Sequence, residues 1–234
     1  MIEILLKSIK DIFDKKIFFT ALIPVLIASA FWGFVFLLFY SNINEYISSS
    51  VNEVPFLPQS GWFSNIIGLI LVSFFYYQLV ILTSVTLVGI VADKIVERIN
   101  EKYYSLQKEG FSSTMTSIFI SIKQNIIFVL LFILTLPTIF IPLLNLIVTI
   151  LLWMLLIKKP MFYDSLSLFA TKEEYSKLQE SDKIDTFMIT FLSASLFFIP
   201  IFGVFVYILQ LLMFTHFNLS RLRELRIEHA TRVS

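Results

Sequence analysis

The chain has no cysteine among its 234 residues, so it carries no disulfide framework, thiolate nucleophile or cysteine-bound metal, and its redox compartment leaves no trace. Charge is scarce as well. Asp, Glu, Lys and Arg make up 15% of the chain and sum to a net +1, which leaves no field to recruit nucleic acid or an acidic partner. The two histidines, His216 and His229, stand alone, and neither a glycine-rich phosphate loop nor a Ser/His/Asp nucleophile set is present. These absences point away from an enzyme and imply neither cofactor nor metal.

What is abundant is apolar. Hydrophobic residues are 57% of the chain, with 26 Phe, 9 Tyr and 3 Trp, and the mean hydropathy is +0.84; soluble domains are only about half apolar. The charged residues leave four long runs free of charge, Ile17–Asn44, Val54–Ala92, Gln124–Ile157 and Thr186–Ser220. Crossing the roughly 30 Å hydrocarbon layer takes about 20 helical residues. The first two runs therefore predict transmembrane helices at about 17–40 and 62–92. The segment Met1–Lys16 ahead of them is amphipathic and charged, and the apolar stretch after it exceeds a signal-peptide core and lacks a small-residue cleavage pattern, so it is expected to be retained.

The third and fourth runs are too long for one span and too short for two spans with a turn. Pro137 and Pro142 break the third, and Pro200 followed by Gly203 breaks the fourth, where a helix would lose a backbone hydrogen bond. Legs of about 15 residues would reach only about 22 Å. Two proline-broken hairpins are expected, at about 118–157 and 186–219. They either penetrate the bilayer without crossing it or cross as short spans whose legs extend past flanking lysines by snorkelling. Phe140-Ile141-Pro142 and Phe198-Ile199-Pro200 lie at an offset of 58 residues, as do Val148 and Val206, which suggests an internal repeat of the broken-helix kind that recurs in transporters. The predicted fold is an all-α integral membrane protein, one membrane domain over 1–234.

Lysine and arginine set the orientation. Lys7, Lys10, Lys15 and Lys16, the stretches Lys94–Lys123 and Lys158–Lys183, and Arg221, Arg223, Arg226 and Arg232 all fall on one side, whereas the loop Ser41–Gly61 has Glu45 and Glu53 and no basic residue. Segments 1–16, 93–117, 158–185 and 220–234 are thus expected to be cytoplasmic, with both termini inside.

Asp93, Glu97 and Glu101 alternate with Lys94, Arg98 and Lys102 at helical spacing, either as a solvated face or as the polar mouth of a cavity. Asn65, Gln78, Thr83, Ser84, Asn125, Asn145 and Gln210 lie within the apolar runs, where each needs a partner and is interhelical glue before it is a pathway. No carboxylate lies mid-span, which argues against proton-coupled pumping. Glu173-Glu174 reads as a solvated pair, and His216 as a helix-end side chain bonded to backbone or headgroup, or else as a ligand or relay.

Ala21-Leu22-Ile23-Pro24 in the first long helix, Ile90-Val91-Ala92-Asp93-Lys94-Ile95-Val96-Glu97 at the end of the second, Phe162-Tyr163-Asp164, and Ile199-Pro200 ahead of a basic tail occur in an order that resembles the CysZ-type sulfate permeases and their relatives in the etoposide-induced membrane protein family. The resemblance covers most of the chain. It implies two long transmembrane helices with hemi-penetrating hairpins, in a homo-oligomer of the bacterial inner membrane that admits sulfate for cysteine synthesis. It also implies a polar entry, matched by Asp93, Glu97 and Asp164. Where it implies glycine and then arginine ahead of the first helix's proline, to hold a dianion, this chain reads Lys15-Lys16-Ile17-Phe18-Phe19. Lys15 and Lys16 are either point-charge substitutes or positive-inside anchors. Two functions stay open: a channel or facilitator for a small anion such as sulfate, drawn in by Lys15, Lys16, Lys94 or Arg98, and a non-transporting membrane scaffold of the same fold.

Overall fold

A computed structural model describes residues 2–53, 61–198 and 206–233. They form helices α1 (Ile2–Ile12), α2 (Lys15–Asn52), α3 (Gly61–Tyr103), α4 (Thr114–Thr135), α5 (Pro142–Leu166), α6 (Lys172–Ser181), α7 (Lys183–Ser195) and α8 (Val206–Val233), with no strand among the described residues. Four stretches are long and apolar enough to cross a membrane: Lys15–Ile43, Gly61–Tyr103, Thr114–Phe140 and Pro142–Leu166. The protein is an all-α membrane protein. Pro200 and Gly203 lie outside the described residues.

The helices run further than the charge-free runs that predict them. α2 continues into the expected loop as far as Asn52, and α3 carries its alternating charges to Tyr103. The legs of the first hairpin have 22 and 25 residues, about 33 and 37 Å at 1.5 Å per residue, rather than the 22 Å expected. Counting from lysine to lysine underestimates them, because a lysine on a helix does not end it. α4 starts at the Ser113 cap, ahead of Lys123, and α5 passes through Lys158 and Lys159. Between the legs Leu136–Phe140 wind as a 3-10 turn, and Pro142 opens α5, where its missing N–H leaves no helical bond unmade. α7 is shorter, 13 residues or about 20 Å, and is followed by a 3-10 turn at Leu196–Phe198. The two 3-10 turns end at Phe140 and Phe198, the residues that the sequence repeat aligns.

The chain divides into two compact units, Pro24–Ser84 and the remainder, Met1–Ile23 with Val85–Ser234. In the smaller unit the indole of Trp32 donates to Thr83 Oγ1 at 2.8 Å, and the Tyr76 hydroxyl donates to the Ser29 carbonyl at 3.2 Å. Phe36 meets the Tyr76 ring edge to face. The outward faces carry Phe34, Leu37, Leu38, Leu69 and Ile70, a surface that suits lipid.

The core of the larger unit is α8, buried on every side from Val206 to Leu219. It packs on α1, α5 and α7, and two of its amide side chains donate to them: Gln210 Nε2 to the Ser193 carbonyl at 2.9 Å, and Asn218 Nδ2 to Ser165 Oγ at 2.6 Å. Asn125 Nδ2 donates to Thr86 Oγ1 at 2.6 Å, tying α4 to α3. Such bonds are the interhelical glue expected for Thr83, Asn125 and Gln210; Ser84 instead bonds the Val80 carbonyl of its own helix.

Where α3, α4 and α5 converge, a side chain is too large. A Cβ on Gly89 would overlap the Ser117 side chain, so glycine lets α4 approach α3 closely, and Ser117 in turn donates to Asp164 of α5 at 2.5 Å.

Candidate functional site

Two residues precede the first long helix, and the second of them begins the site. Asp14 caps α2: its Oδ1 accepts from the Lys16 amide at 2.9 Å and its carbonyl from the Phe18 amide at 2.8 Å. Its other carboxylate oxygen lies 3.6 Å from a guanidinium nitrogen of Arg98, which reaches across from α3. Burial works against the Asp14 charge, but the Lys16 and Ile17 amides and the Arg98 guanidinium outweigh it and hold the carboxyl below its usual range.

Beside this contact is a cleft of about 220 Å³, lined by Lys16 and Thr20 of α2 and by Lys94, Glu97, Arg98 and Glu101 of α3. Its charges are not balanced locally. Glu97 is engaged by Lys108 at 2.5 Å, and Glu101 meets Arg98 only at 3.9 Å. Among the described residues Lys16 and Lys94 are in no ion pair, and Arg98 Nε is buried with no hydrogen-bond partner. An N–H in that state is a donor waiting for an acceptor, since a buried unsatisfied group costs roughly 1–3 kcal/mol. Three cations, one of them with a free donor, against two carboxylates around a small cleft leave room for a compact anion.

The structure thus gathers Lys16, Lys94, Glu97 and Arg98, while Lys15 is exposed at the start of α2 and does not line the cleft. Asp93 and Asp164 do not line it either. Asp93 accepts from Ser112 Oγ at 3.0 Å, and Asp164 is buried with one oxygen bonded to Ser117 and the other without a partner. The single mouth drawn from the sequence is therefore two places, a basic cleft between α2 and α3 and an acidic seam where α3, α4 and α5 meet. Pro137 and Pro142 sit at the hairpin tip and line no part of either.

His216 is fully buried, its Nε2 2.8 Å from Asp11 Oδ2 and its Nδ1 3.1 Å from the Tyr104 hydroxyl. Asp11 also accepts from Lys102 at 2.5 Å and from Tyr103 at 3.0 Å. This cluster clasps α1 and the end of α3 to α8. Nor is Glu174 merely solvated: it shares a capping box with Thr171 and binds Arg226 at 2.8 Å, while Arg226 also reaches Glu109 and the Phe169 carbonyl. Burial opposes the Glu174 charge, yet Arg226 and the Thr171 amide hold it below its usual range. Arg221 likewise pairs with Asp185 and Glu224.

Sequence reading missed Asp14 and Asp11. Asp14 carries the ordinary signal of an aspartate just ahead of an apolar run. Asp11 has no local signal, because its partners lie far along the chain.

A family described as Sulfate transporter CysZ/Etoposide-induced protein 2.4 matches residues 4–207, from α1 to the start of α8. The chain belongs to this family. It is a family of membrane transporters rather than a class of enzymes. No curated protein and no solved structure is found to match the chain. The family match takes in both helices of the basic cleft and all of the acidic seam.

Proposed function

We propose that the protein is a channel or facilitator for a small anion, sulfate foremost, working in the bacterial inner membrane as a homo-oligomer with both termini in the cytoplasm and supplying sulfur for cysteine synthesis. The observation that carries this reading is the basic cleft, where Lys16, Lys94 and the unpartnered Nε of Arg98 line one small space at the start of α2. The arginine missing ahead of Pro24 has a counterpart in Arg98, which presents a planar fork of donors suited to an oxyanion. Membership in a transporter family supports the same reading.

A second reading, a non-transporting scaffold, draws on Asp14. Its carboxylate already occupies the α2 amides and touches Arg98, the places an external anion would take.

Uptake of labelled sulfate into proteoliposomes, beside empty liposomes and with sulfite and chloride as competitors, separates the two. Saturable entry that Lys16→Ala lowers and Lys15→Ala leaves unchanged supports the facilitator. Folded, inserted protein with no uptake above empty liposomes supports the scaffold.

A further inference from the structure

Away from the proposed anion cleft, a larger one of about 480 Å³ lies among α5, α6 and α7, lined by Lys158, Lys159, Tyr175, Gln179, Lys183 and Thr186 together with Phe162 and Glu180. Its position along the sequence is informative. Lys158 and Lys159 end the charge-free run Gln124–Ile157, and Lys183 lies three residues ahead of the run Thr186–Ser220, which Asp185 bounds, so all three lysines stand where apolar helices meet water. Among the described residues none of the three is in an ion pair, and they face a single carboxylate, Glu180.

Thr186 supplies the second observation. It is 4% exposed, and its Oγ1 is buried without a hydrogen-bond partner, although a helical threonine ordinarily bonds the carbonyl four residues back, as Thr190 does to Thr186 itself at 2.5 Å. A hydroxyl left unsatisfied at the wall of a basic cleft is matched by an oxygen-rich ligand. Tyr175 can add a donor: burial, then neighbouring Tyr163 and Asp164, push its hydroxyl up to about 12, so it keeps its proton at neutral pH. Along α7 from this point, Ile184, Phe187, Met188 and Phe191 are exposed, at 80%, 49%, 50% and 44%. They recur three and four residues apart and make one apolar stripe leading away from the lysines.

We propose that this cleft binds the phosphate-bearing headgroup of an acidic phospholipid, with Lys158, Lys159, Lys183 and Thr186 on the phosphate oxygens and the α7 stripe against the acyl chains. Basic pockets at the membrane surface recognise such headgroups by charge, and a flanking apolar stripe distinguishes a lipid from a phosphate in solution. The site shares no residue with the anion cleft, so it stands whether or not the chain transports sulfate.

The test follows thermal unfolding of the purified full chain in neutral detergent while short-chain phosphatidylglycerol is titrated, with phosphatidylcholine of equal chain length and soluble glycerol 1-phosphate in parallel. Phosphatidylglycerol is expected to raise the midpoint where phosphatidylcholine does not. Lys158→Gln/Lys183→Gln weakens the response about tenfold or more, whereas Lys172→Gln/Lys177→Gln, with the same loss of charge on α6, does not. Thr186→Val weakens the response without lowering the midpoint of lipid-free protein, because the hydroxyl it removes has no partner there, and this variant carries the test if the lysine pair fails to fold. Equal responses to the two lipids overturn the proposal, as does an undiminished response in both the lysine and the threonine variants. A response to glycerol phosphate matching that to the lipid overturns the lipid assignment and leaves a soluble phosphate as ligand.

Discussion

Arg98 and Arg226 are both arginines near the ends of long helices, yet their surroundings are opposite. Arg226 is three-quarters buried and saturated: Glu174, Glu109 and the Phe169 carbonyl take up its donors, and the tail of α8 is thereby fixed to α6 and the turns before it. Arg98 keeps only two long contacts, at 3.6 and 3.9 Å, and one buried donor has no acceptor at all. A count of basic residues treats the two alike. Their partners separate a cation that holds the fold from one with a donor to spare, and the same division applies to Arg221, which is paired, against Lys16 and Lys94, which are in no ion pair among the described residues.

The sharpest break in this comparison is Arg98→Ala. If the cleft carries the anion, sulfate uptake is expected to fall on the order of a hundredfold, the upper worth of a charge-assisted bond in a partly buried site. The unfolding midpoint should hardly move, since contacts that long are worth under about 1 kcal/mol. A large loss of stability with uptake intact would erase the distinction.

Arg226→Ala is expected to do the reverse, lowering stability by about 2 kcal/mol and sparing uptake. Acid sharpens the point. Glu174 has a folded-state pKa below its usual value of 4.5, so its contribution is complete above that value and is lost as pH falls through the lower one. The gap in unfolding midpoint between wild type and Arg226→Ala should therefore hold steady at neutral pH and close on acidification below 4.5. A gap independent of pH would mean that Arg226 acts through packing alone.

The smallest effect belongs to Asp14→Asn. Asparagine still caps α2, so stability should stay within about 0.5 kcal/mol, but the carboxylate that competes for the α2 amides and Arg98 is gone. Sulfate uptake should rise a few-fold, and an unchanged rate would show that Asp14 does not occupy the anion's place.

Charge-free runs and proline positions made the architecture legible: both long helices, the break at Leu136–Phe140 and the all-α character follow from them. Helix ends were harder to read, because lysine and aspartate mark where solvent starts and not where backbone hydrogen bonds stop. The basic cleft was half legible. Lys16, Lys94 and Arg98 stand out as charges beside apolar runs, but their meeting across α2 and α3 is a tertiary fact, and Asp93 and Asp164 left the group for the same reason. The Thr171–Glu174 spacing is a capping box in the sequence, whereas Arg226 as its further partner lies 52 residues on.

The clasp at Asp11 also records the order in which the chain is made. Asp11 is synthesised before His216, which follows it by 205 residues. Until α8 emerges, Lys102 and Tyr103 are the partners available to the carboxylate, and one oxygen remains for water. Closure of the clasp thus has to wait for α8, and a chain stopped short of that helix keeps α1 and the end of α3 joined through one carboxylate oxygen alone.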